Sequence, residues 1–111
     1  MIYIVEIWNT KPAWLELSLE ERGNYMTLVG NANKQLMEQG VKILTWSLND
    51  AVTAQRCDYD YFAIWAFPDQ TVADSFLKTV EGAGWYNYFE QVNLMGAESN
   101  AEQVIGQLVQ L

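Results

Sequence analysis

Apolar and polar positions along this chain follow two rhythms. Period-two stretches at about Ile2–Asn9, Val41–Leu48, Tyr59–Phe67 and Tyr86–Met95 predict four strands. The first is closed by Thr10-Lys11-Pro12, since proline has no amide to give to a ladder. Between the first two strands, Leu19, Met26, Val29, Ala32 and Leu36 recur at helical spacing. They predict a helix opened by a Ser18–Glu21 capping box, running to about Gln39 and stopped by Gly40. Gly23 and Gly30 fall within it on one face, which predicts a close packing neighbour there. Val72, Phe76 and Val80 predict a second helix, capped by Asp69 and broken at Gly82-Ala83-Gly84. A last helix, with a Ser99–Glu102 capping box, carries Val104, Ile105, Leu108 and Val109 on one side. The order βαββαβ, with right-handed crossovers, predicts an α+β, ferredoxin-like domain over residues 1–111. Its four-stranded antiparallel sheet has order 4-1-3-2, with helices on one face and a C-terminal helix.

A sheet covered on one side should alternate cleanly, and these strands do not. Phe62, Ile64 and Ala66, with Val5 and Ile7, are the smaller sets and are assigned to the helix side. That leaves Ile4, Glu6, Trp8, Thr45, Ser47, Tyr61, Trp65 and Phe67 on the open face. A patch of that size is expected to be covered by a second copy of the chain, because two-fold symmetry makes it self-complementary. The polar residues within it suggest a cavity lining as well as an interface.

Composition narrows the chemistry. Half of the 111 residues are hydrophobic, enough for a core without disulfides or metal. Fourteen acidic residues against six basic give a net charge of −8. That charge repels phosphate backbones and anionic lipid, so neither nucleic acid nor membrane is an expected partner. There is no histidine, which removes the commonest general base and the commonest zinc and haem ligand. No metal or cofactor is expected. The single cysteine, Cys57, has no internal partner, and the first residues read as a strand rather than a signal peptide. The expected location is therefore the reducing cytoplasm.

Two local stretches carry a family resemblance: Tyr61-Phe62-Ala63-Ile64-Trp65-Ala66-Phe67-Pro68-Asp69, and Gly84-Trp85-Tyr86-Asn87-Tyr88-Phe89-Glu90-Gln91-Val92-Asn93. With the strand order and size, the chain resembles the dimeric α+β barrel superfamily over its whole length. In particular it is similar to small uncharacterised members, including ones of environmental origin. The resemblance implies a homodimer with sheets face to face and a pocket. It also implies activities ranging from cofactor-independent monooxygenases and isomerases to haem-linked enzymes and ligand sensors. The haem branches are at odds with a chain lacking histidine.

The candidate ligand-binding residues are Glu6, Trp8, Thr45, Ser47, Tyr61, Trp65 and Glu90; no catalytic residue is assigned. Glu6 and Glu90 each interrupt an apolar strand, and adjacent strands would let them form an acid–base pair. The plainer reading puts them at a strand edge or beside Lys42 or Arg56. Trp8, Tyr61 and Trp65 would wall a flat ligand, or simply pack the dimer. Trp85, Tyr86 and Tyr88 would form a pocket lip or a packing anchor, and Asn9 and Asn93 would orient a ligand or shape turns. The expected function is a homodimeric protein that binds a small aromatic or hydrophobic molecule or acts as a cofactor-independent monooxygenase- or isomerase-like enzyme. The alternative is a non-catalytic dimeric module.

Overall fold

In the computed structural model, which describes residues 1–111, the first strand, β1, spans Ile2–Thr10. Pro12 then starts a single helical turn, α1 (Pro12–Leu15), at the position where its missing amide costs nothing. The Ser18–Glu21 capping box forms as predicted: each side chain accepts from the other residue's backbone amide, at 3.0 and 3.1 Å. It opens α2 (Leu19–Glu38), and Gly40, at φ 90°, ends it in the left-handed region that glycine tolerates. β2 (Lys42–Leu48) and β3 (Tyr61–Phe67) are joined by a long loop. Arg56 ties that loop: its guanidinium donates to the carbonyls of Asp50, Cys57 and Tyr59 and to the Asp60 carboxylate. Asn9 fastens the loop to β1, donating to Asp58 O and accepting from the Asp60 amide.

Asp69 caps α3 (Gln70–Gly82) by accepting from the Val72 amide at 2.9 Å. Gly84, at φ 76°, turns the chain into a short helix, α4 (Trp85–Tyr88), before β4 (Phe89–Ala97). The predicted strand start at Tyr86 is thus corrected, because the left-handed glycine launches a helical turn instead. Asn100, not Ser99, caps α5 (Ala101–Val109) by accepting from the Gln103 amide, while the Ser99 hydroxyl donates to the Gln103 side chain.

The sheet is antiparallel in order β2-β3-β1-β4, the predicted order read from the other edge. Its register decides the faces, because directly paired residues project to the same side. Ile2–Phe67, Ile4–Trp65, Glu6–Ala63 and Trp8–Tyr61 pair between β1 and β3. Ile4, Glu6, Trp8, Ala63, Trp65 and Phe67 are all buried, and the apolar ones pack with Ala73 and Phe76 of α3 and Trp85 of α4. The expected face assignment is therefore inverted. The bulkier set lies under the helices, where aromatic rings fill the depth between the layers, and the smaller set of Val5, Ile7, Phe62 and Ile64 lies half-buried on the open face.

α2 covers this face loosely. None of its twenty residues is fully buried, and only Tyr25, Met26, Val29 and Leu36 reach the core. Nothing comes within 4 Å of a Cβ placed at Gly23 or Gly30, so the predicted close neighbour is absent. α5 buries no residue, and its apolar stripe is exposed. No helix is long and apolar enough to cross a membrane.

Candidate functional site

The gap between α2 and the sheet is a cavity of about 210 Å³. α2 gives it Tyr25, Val29, Asn33 and Leu36; α3 gives Phe76, Thr79 and Val80. The sheet supplies the floor: Glu6 from β1, Trp46 from β2 and Trp65 from β3, with Trp85 of α4 at one side.

Glu6 is 4% exposed and stands on the central strand opposite Ala63, whose small side chain leaves room for the carboxyl. Its partners are diagonal neighbours on the two flanking strands. Trp65 Nε1 donates to Oε1 at 2.7 Å, and Gln91 Nε2 donates to Oε2 at 2.8 Å. Gln91 is held in turn, since its Oε1 accepts from Trp85 Nε1 at 2.8 Å and its Nε2 also donates to Asn93 Oδ1. Burial pushes the Glu6 carboxyl above its ordinary range, and the hydrogen bonds from Gln91 and Trp65 partly counter that. No cationic side chain pairs with it.

Around the carboxyl the rings are mutually braced. Trp46 meets Trp8, Trp65 and Trp85 edge-on at centroid distances of 5.3, 6.2 and 6.2 Å. Trp65 packs on Phe76 at 4.7 Å, and Tyr25 stacks on Trp85 at 6.4 Å. Edge-to-face contacts of this kind add about 0.5–1.5 kcal/mol per pair to simple burial, which rigidifies the floor without filling the space above it. An aromatic cavity with one buried acid can hold a flat or apolar molecule and accept a hydrogen bond or proton from it. No group of three or more metal-ligating side chains converges anywhere.

The sequence-predicted residues divide between the two faces. Glu6, Trp8, Tyr61 and Trp65 come together on the helix side, with Trp8 stacked on Tyr61 at 5.9 Å. Thr45 and Ser47 pair with Ile64 and Phe62 and so project from the opposite face, where their hydroxyls bond each other at 2.6 Å. A bulge between Ile43 and Thr45 reverses the parity of β2. It turns Trp46 toward the helices and Thr45 and Ser47 away. Glu90 pairs with Asn9 on that same opposite face and is exposed, so it does not join Glu6 as an acid–base pair. Neither glutamate pairs with Lys42 or Arg56.

Sequence reasoning missed Trp46, Tyr25 and Gln91. The period of Phe89, Gln91, Asn93 and Met95 in β4 was the signal available for Gln91. No residue pattern announces the bulge that delivers Trp46.

The model of one family matches residues 1–111, the whole chain. The chain belongs to DUF6616, a family of unknown function. No curated protein matches its sequence. Among solved structures it is similar to a putative chlorite dismutase, with TM-score 0.66 and 15% identity over 96% of this chain; it spans 47% of that protein's length. It is also similar to an Arabidopsis thaliana protein, with TM-score 0.64 and 10% identity over 91% of this chain and 98% of the other. A third is a dabb family protein with a ferredoxin-like fold from Mesorhizobium loti, with TM-score 0.53 and 17% identity over 89% and 97% of the two chains. Together with the strand order, these likenesses give the chain a ferredoxin-like fold. At such identities they speak to fold alone.

Proposed function

We propose that this chain is a cytoplasmic homodimer that binds a small aromatic or hydrophobic molecule in the cavity under α2, with Glu6 as the polar anchor. One observation carries the reading: a buried, hydrogen-bonded carboxyl on the floor of an otherwise apolar cavity. A carboxyl serving only the core would be an expensive choice there, since burying an unpaired charge costs several kcal/mol. The raised affinity of Glu6 for a proton also makes cofactor-independent acid–base chemistry on the bound molecule available, as in an isomerase-like reaction, or in a monooxygenase-like one with dioxygen as the co-substrate and oxidant. Trp8 and Tyr61 back the cavity wall. Thr45, Ser47 and Glu90, on the other face, belong in this reading to the contact with the second copy.

Native mass spectrometry and tryptophan fluorescence against a panel of aromatic and phenolic compounds test the proposal. Wild-type protein is expected to bind at least one of them, and Glu6→Ala to weaken that binding about tenfold or more. Unchanged binding by Glu6→Ala would remove the anchor. Failure of every compound would favour the non-catalytic dimeric module.

A further inference from the structure

The cavity holds a carboxyl but no counter-charge. The chain has six basic residues: Lys11, Arg22, Lys34, Lys42, Arg56 and Lys78. None lines the cavity. Three are occupied elsewhere: Lys11 Nζ donates to Tyr86 O at 2.6 Å, Arg22 donates to Trp14 O and Leu15 O, and Arg56 ties the β2–β3 loop. Glu6 takes one hydrogen bond on each oxygen, and a carboxylate has about four acceptor sites. Acceptor capacity therefore remains on both oxygens.

The surrounding walls have the complementary character. Trp46, Trp65, Trp85, Tyr25 and Phe76 all line the cavity, and an aromatic face is electron-rich. The other polar groups there carry no positive charge to hold an anion: the Asn33 amide, the Trp46 indole N–H, and the hydroxyls of Tyr25 and Thr79, which already donate to Ala83 O and Ser75 O. A net charge of −8 further disfavours an anionic ligand and raises the local concentration of cations.

We infer that the ligand is a protonated primary amine on an apolar body, its ammonium donating to Glu6 within the tryptophan and tyrosine walls. This rests on the reading of the cavity as a ligand site and names the class of molecule that site takes. The ligand supplies the missing counter-charge, and the rings stabilise it where water is scarce.

Three probes with one apolar body separate the possibilities: 2-phenylethylamine, 2-phenylethanol and 3-phenylpropanoate, titrated into the full chain at neutral pH with tryptophan fluorescence as the readout. The amine is expected to bind at least about tenfold more tightly than the alcohol, with the carboxylate weakest. Glu6→Gln is expected to bring the amine to within about twofold of the alcohol. The wild-type ranking decides the matter even if that variant does not fold. Alcohol binding equal to or tighter than amine binding would overturn the inference and leave the cavity as a site for neutral ligands. If none of the three binds and none alters the fluorescence, the ligand-site reading itself falls, and the inference falls with it.

Discussion

Glu6 sits where a strand pattern would place another isoleucine, and its cost to the fold is measurable. Its carboxyl is pushed up from an ordinary 4.5 chiefly by burial. The folded protein therefore holds this proton more tightly than the unfolded chain does. Between 4.5 and the raised folded value the unfolded state binds fewer protons, so this group's contribution to stability falls as pH rises through that window. Glu21 runs the other way: its backbone and side-chain hydrogen bonds with Ser18 lower its affinity for a proton, a contribution lost as pH falls. Comparing wild type with Glu6→Gln isolates the first effect. Urea denaturation from pH 4 to 8 should show a downward component in wild type that is absent in the variant. Parallel curves would mean that Glu6 titrates as in water. Deeper in the core, Phe76 packs on Trp65 and Phe67 at 4.7 and 5.0 Å. Phe76→Ala should cost about 3–5 kcal/mol in the same measurement, since the rings around it cannot collapse inward.

At the scale of the elements, α2 is long but weakly held. Its glycine at position 23 is exposed and meets nothing within 4 Å, so Gly23→Ala should stabilise the protein by about 0.5–1 kcal/mol through helix propensity alone. A loss of stability on thermal denaturation would instead reveal a neighbour against that face. The elements and their order were legible from rhythm, capping boxes and proline and glycine breaks, because those signals are local. Which face each strand turns inward was not legible. β1 and β3 are apolar on both sides, so hydrophobicity could not choose, and side-chain bulk pointed the wrong way. The helices here rest on Trp65 and Phe67 rather than on Ile64 and Ala66. The bulge in β2 compounded the difficulty: one unpaired residue exchanges Trp46 for Thr45 and Ser47. Glu6, Trp8, Tyr61 and Trp65 could still be grouped correctly, since they sit in register on two strands without a bulge.

On the scale of the whole molecule, the sheet has two apolar faces and the chain covers only one of them. Val5, Ile7, Phe62 and Ile64 are half-buried on the open face, beside exposed Val92 and Leu94 of β4, and α5 presents an apolar stripe to solvent. A second copy is the proposed cover. Leu94→Glu should therefore shift the chain toward monomer in sedimentation equilibrium, because it places like charges across a two-fold contact. A wild-type chain that is already a monomer would remove the need for that partner. In the proposed arrangement the two faces divide the labour, with the ligand on the helix side and the second copy on the open face. A ¹H–¹⁵N spectrum reads it directly, since the five tryptophans give separate indole signals and the backbone reports the other face. Titration with a bound aromatic compound should move the indole signals of Trp46, Trp65 and Trp85 and leave the amides of Thr45, Ser47 and Glu90 in place. Shifts confined to those three amides, with the indoles unmoved, would put the ligand on the open face and contradict a site under α2.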